Sequence, residues 1–69
     1  MAQNHNDQFE PLAVSVTKAA QMLDVSRQKM YCLIHQQGFP VFRLGGRTLV
    51  SVDGLREWVK AQLEQGASA

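Results

Sequence analysis

A mainly α-helical fold with one small β-hairpin follows from three stretches of this 69-residue sequence. In the first, Thr17 to Ile34, apolar residues recur at Ala19, Ala20, Leu23, Val25, Met30, Leu33 and Ile34, a helical spacing broken once. In the second, two β-prone runs flank Gly45-Gly46. In the third, Leu55, Trp58, Val59 and Gln62 or Leu63 form an apolar stripe over a final helix. Two short helices with a tight turn, a hairpin and a closing helix make a winged helix-turn-helix of three helices plus a wing.

The elements follow in order. Residues 1–11 are polar and end in Pro11, which predicts a flexible leader before a domain over residues 12–65. Residues 12–16 form an extended lead-in that can turn Val14 and Val16 to the core. The first helix is expected to open at Thr17 and run to Leu23, with the turn over Asp24-Val25. The second opens at Ser26 and runs to about Gln36, because Thr and Ser oxygens accept from the unpaired N–H groups of a helix start. Gly38 is a suitable stop and Pro40 bars continuation. Small Ala19 and Ala20 let the second helix cross close to the first.

The hairpin spans Val41 to Val50 and admits two registers. A two-residue turn pairs Phe42 with Leu49; a three-residue turn pairs Phe42 with Val50. The second is preferred, because it pairs two apolar residues and points Arg43 outward. Ser51 or Val52 begins the last helix, which runs to about Gln65, with Asp53 suited to the dipole of its first turn. Gly54 is a poor helix former there, at about 1 kcal/mol against Ala. Residues 66–69 form a small-residue C-terminal tail. Phe39, Phe42 and Trp58 are expected in the core, since so short a chain needs their area.

Composition narrows the function classes. The single cysteine excludes an internal disulfide framework and fits a reducing cytoplasm. No secretion signal is expected at the start, and no stretch nears the roughly 20 apolar residues of a membrane span. The net charge is only +1, but its distribution is uneven. No acidic residue lies between Val25 and Ser51, a window that holds Arg27, Lys29, Arg43 and Arg47, with His35 as a further possible cation. Such a window can be an ordinary solvated face; its overlap with a helix-turn-helix favours a polyanionic partner.

Inward Met30, Leu33 and Ile34 leave Ser26, Arg27, Gln28, Lys29 and Tyr31 as the candidate DNA contacts of the second helix. Arg can bind guanine, and Gln adenine, in bidentate fashion, whereas Ser26, Lys29 and Tyr31 suit phosphates. Arg43 and Arg47 flank the glycine tip, so the wing can follow the backbone or enter the minor groove. A lone Tyr and Trp give no row of stacking aromatics for single strands. Cys32-x-x-His35 lacks the further ligands zinc requires, and no nucleophile–base arrangement stands out. No enzyme, metal, cofactor, small-molecule ligand or membrane partner is expected.

The string V-x-K-A-A-x-x-L-x-V-S-R-x-x-x-Y-x-L-I, followed by F-P-V-x-R-L-G-G-R and V-S-x-x-x-L-x-x-W, resembles the excisionase-type DNA-binding domains, small winged relatives of the MerR regulators. The resemblance covers about Leu12 to Leu63. It implies a second helix in the major groove carrying Ser26, Arg27, Gln28, Lys29 and Tyr31, and a wing carrying Arg43, Gly46, Arg47 and Thr48. Thr17 and Lys18 at the first helix start are lesser candidates. Two positions depart from the family pattern. Leu49 stands where a basic or aromatic residue is common, which implies a lighter wing contact, and Ser51 stands where many members have Pro. The implied role is sequence-specific binding of double-stranded DNA as an excisionase that bends DNA and assists an integrase in excising a mobile element. Neighbouring copies on the DNA are possible partners, and the setting is a bacterial or phage protein in the cytoplasm, associated with the nucleoid. The alternatives are a small MerR-like transcriptional regulator and a protein-interaction module that does not bind DNA.

Overall fold

A computed structural model describes residues 10–67. The leader expected over residues 1–11 therefore lies outside the described residues except for Glu10 and Pro11, as do Ser68 and Ala69 of the expected tail. The element order is β1 (Ala13–Ser15), α1 (Val16–Leu23), α2 (Arg27–Leu33), β2 (Val41–Leu44), β3 (Arg47–Ser51) and α3 (Val52–Ala67). The three strands form one antiparallel sheet in the order β1-β3-β2, so the lead-in strand joins the wing rather than standing apart.

The first helix starts one residue earlier than expected, and its cap is not Thr17. Ser15 is extended (φ −68°, ψ 164°), and its Oγ accepts from the Lys18 N–H at 3.1 Å. Both residues are good caps; pairing of Ser15 with Leu49 in the sheet decides between them. Ser15→Ala should therefore cost about 1 kcal/mol, while Thr17→Ala should leave the urea midpoint nearly unchanged. Equal effects of the two in parallel urea titrations would contradict the assignment.

Asp24 ends α1 in the left-handed region at φ 62°, and its N–H reaches the carbonyls of Ala20 and Gln21. Asp tolerates that conformation better than most residues. Ser26 caps α2 as expected, its Oγ accepting from Lys29 N–H at 3.0 Å. The second helix is shorter than expected, because α geometry stops at Leu33. Bonds from His35 N–H to Cys32 and from Gln36 N–H to Leu33 span three residues, a tighter coil. Gly38, at φ +91°, then reverses the chain and lets Phe39 enter the core.

The preferred hairpin register is not the one formed. β2 and β3 meet across a two-residue Gly45-Gly46 turn, pairing Phe42 with Leu49, Val41 with Val50 and Leu44 with Arg47. Gly45 takes φ +62°, the left-handed value a tight primed turn requires at its first central position. Directly paired residues share a face, so Val41, Val50 and Val14 lie on one side of the sheet and Phe42, Leu44 and Leu49 on the other. Phe42 is consequently 41% exposed instead of buried. Pairing with Val14 of β1 draws Val50 to the core, and Phe42 loses the competition by parity.

Val14, Val16, Ala19, Ala20, Met30, Leu33, Phe39, Val50, Val52 and Leu55 make the core cluster. Trp58 packs on its edge, its ring 5.1 Å from Phe39 in an edge-to-face arrangement (75°) worth about 1 kcal/mol beyond its burial. Ser51 caps α3, its Oγ accepting from Gly54 N–H at 3.0 Å. Ser51 N–H donates to Pro40 and Val52 N–H to Leu12, fastening both neighbouring segments to the start of α3. The helix continues through Gly66 and Ala67, past the expected end at Gln65. Only the first part of its stripe is core: Leu55 is buried and Trp58 half-buried, whereas Val59 and Leu63 are exposed.

Candidate nucleic-acid interface

Met30, Leu33 and Ile34 anchor α2 by one side. At 100° per residue the opposite ridge of α2 consists of Gln28 and Cys32, both exposed, and exposed His35 follows in the tighter coil. Arg27 and Tyr31 flank that ridge on one side, and Lys29 on the other. Tyr31 lines an open crevice of about 300 Å³ together with Thr17, Arg47 and Thr48, where the start of α1, the outer flank of α2 and the wing converge. Lys29 lines a different groove, toward Trp58 and Gln62 of α3.

The sequence candidates thus fall into three groups. Tyr31 of α2 shares a crevice with Thr17, Arg47 and Thr48, while Arg27 and Gln28 are exposed about one turn before it on the same helix. Ser26 is occupied locally, since its oxygen caps α2. Lys18 is not brought to this surface: it lines a groove with Glu10, Met22 and Arg56 behind α1. On the wing, Arg43 pairs with Thr48 and Arg47 with Leu44, so the two arginines occupy opposite faces of the hairpin. Gly46 is exposed at the tip and its Cβ position meets nothing within 4 Å.

Among the described residues the charges here are unopposed. Among the described residues the only ion pairs belong to Arg56, which reaches Glu10 at 3.0 Å and Asp53 at 3.1 Å. The hydrogen bond to Glu10, its negative charge and Asp53 push the Arg56 pKa further up. Arg27, Lys29, Arg43 and Arg47 have no carboxylate in reach among the described residues. No three His, Cys, Asp or Glu side chains gather as a metal site among the described residues, and no helix there is long and apolar enough to cross a membrane.

A family model described as a helix-turn-helix domain matches residues 13–63. The chain belongs to this family of excisionase-type DNA-binding domains. No curated protein and no solved structure matches the chain significantly. The match runs from β1 to within α3, so every candidate contact falls inside the helix-turn-helix domain. Sequence-specific DNA binding follows from that membership. Within the domain, Cys32 and His35, which helical spacing also turns outward but which were not among the candidate DNA contacts, are exposed.

Proposed function

We propose that this helix-turn-helix domain acts as an excisionase: it binds double-stranded DNA near the end of a mobile element, bends it, and turns an integrase toward excision. The observation that carries the reading is the pairing of two cationic elements, α2 and the wing, around one crevice, with no carboxylate among the described residues to neutralise them. Arg27 and Gln28 enter the major groove and read bases; Tyr31, Thr17 and Thr48 hold the backbone between the two elements. Arg43 and Arg47 carry the wing along the adjacent minor groove, with Gly46 allowing close approach. Ser26 acts through the start of α2 and Lys29 from its far flank. Lys18 has no part in this surface. Engaging two neighbouring grooves at once favours a bent duplex. The integrase and further copies of the protein are the partners of this reading, and the nucleoid is its setting.

If about four or five phosphates are neutralised, log K against log salt should fall with a slope near −4. Arg47→Ala should flatten that slope by about 1 and weaken binding alike on all sequences. A flat salt response would defeat DNA binding through this surface. To test the excisionase role, the protein is added to its neighbouring integrase and DNA carrying the element's end. Excision should rise and the footprint should lie beside the recombination site. A footprint over a promoter with no change in excision would make it a transcriptional regulator.

A further inference from the structure

The apolar exposure of the wing rises toward its tip. Phe42, Leu44, Arg47 and Leu49 share the face turned away from Val41 and Val50, because Phe42 pairs with Leu49 and Leu44 with Arg47. Leu49 is buried, Phe42 is 41% exposed and Leu44 63%. Leu44 stands outside the core cluster, on an edge strand of the sheet. Apolar side chains on an exposed edge invite pairing with other chains, and edges are commonly blunted by charge instead. A leucine here therefore calls for a reason other than packing.

The surroundings select the partner. A Cβ at Gly45 or Gly46 would meet nothing within 4 Å, so the tip stands clear of the described body. Neither glycine adds a side chain, and Leu44 and Arg47, which close the turn, are the first side chains that a surface meeting the tip would touch. Arg43 and Arg47 have no carboxylate in reach among the described residues, which fits a polyanion. Phosphates take charge and hydrogen bonds, so a leucine beside these cations gains nothing from them. The minor groove suits both side chains. There arginine is held by the negative potential, and apolar side chains slip between base steps and kink the duplex. A stable complex with another protein takes about 800 Å² from each partner, far more than two apolar side chains at a hairpin tip present.

We propose that Leu44 is a DNA wedge: with Arg47 in the minor groove, its side chain enters a base step, partly unstacks it and bends the duplex. Phe42, two residues behind on the same face, covers the sugars beside that step. The proposal rests on the DNA-binding reading above and assigns the bend to one side chain. It also gives the wing a sequence preference that needs no hydrogen bond to a base, since pyrimidine–purine steps are the easiest to kink.

The test uses the full chain and a short duplex taken from the footprint at the element's end. The duplex carries donor and acceptor dyes on its two ends and a fluorescent adenine analogue at its pyrimidine–purine steps. Wild-type protein should bend it by about 20–90° and raise the analogue's emission at one step. Leu44→Ala should remove most of the bend and of the emission rise, and weaken binding about 10-fold. Its Tm and its slope of log K against log salt should match wild type, because no phosphate contact is lost. Leu44→Met, apolar and of similar volume, should restore the bend. A bend and an affinity in Leu44→Ala equal to wild type would overturn the proposal and leave DNA binding standing. So would an unchanged bend with lost stimulation of the integrase, which would make this face of the wing a protein contact. Absence of salt-dependent binding by the wild-type protein would remove the DNA reading itself, and the wedge with it.

Discussion

Gly54→Ala is expected to destabilise the domain by about 1–3 kcal/mol, although helix propensity alone favours alanine by about 1 kcal/mol. The conflict is resolved by distance. A Cβ at Gly54 would stand 2.5 Å from Pro40 Cβ, with Ser51 Oγ at 3.2 Å. Neither neighbour can yield easily. Pro40 is a ring whose carbonyl accepts from Ser51 N–H, and Ser51 Oγ caps the helix through Gly54 N–H. An added methyl must either push the loop before β2 off the helix or break the cap. A urea titration read at constant m-value measures the outcome. A midpoint higher than wild type would mean that α3 and Pro40 are not in such close contact.

Arg27→Ala should weaken binding to the proper DNA site by about 1–3 kcal/mol and relax base preference at one position. Arg27 is exposed in the first turn of α2 and has no ion pair among the described residues, so its removal breaks no described interaction of the free protein. Stability should therefore stay within about 0.5 kcal/mol of wild type, which separates a lost contact from a lost fold. Binding measured on the proper site and on single-base variants gives both quantities. Unchanged affinity and preference would remove Arg27 from the reading surface.

The local features were legible in the sequence. The Ser26 cap, the chain turn at Asp24 and a hairpin tip at the two glycines, though not the length of its turn, each depend on residues within a few positions of one another. What was not legible depends on distant partners. Ser15 and Thr17 are equally good caps until β1 pairs with β3 and holds Ser15 extended. Phe42 and Val50 make a plausible pair until Val14 claims the other side of Val50. The α3 stripe is apolar through Leu63, but the core cluster takes only Leu55 with Trp58 at its edge, and Val59 and Leu63 are exposed. For the candidate interface, residue types singled out α2 and the hairpin, and the structure brings Tyr31 of the one beside Arg47 and Thr48 of the other. They could not show that Lys18 and Lys29 would diverge from Tyr31, because that depends on which helix packs against each flank.

The segregation of charge has a kinetic consequence. With a net charge of only +1, the molecule feels little overall pull toward a polyanion at long range. Its cations on α2 and the wing have no acid among them, whereas α3 sets Asp53, Glu57 and Glu64 against Arg56 and Lys60, so the excess positive charge is concentrated on one part of the molecule. Such a body turns in the field of a duplex before it touches, so encounters begin with the reading helix already facing inward. Added salt should slow its arrival more than it hastens its release from the matched sequence.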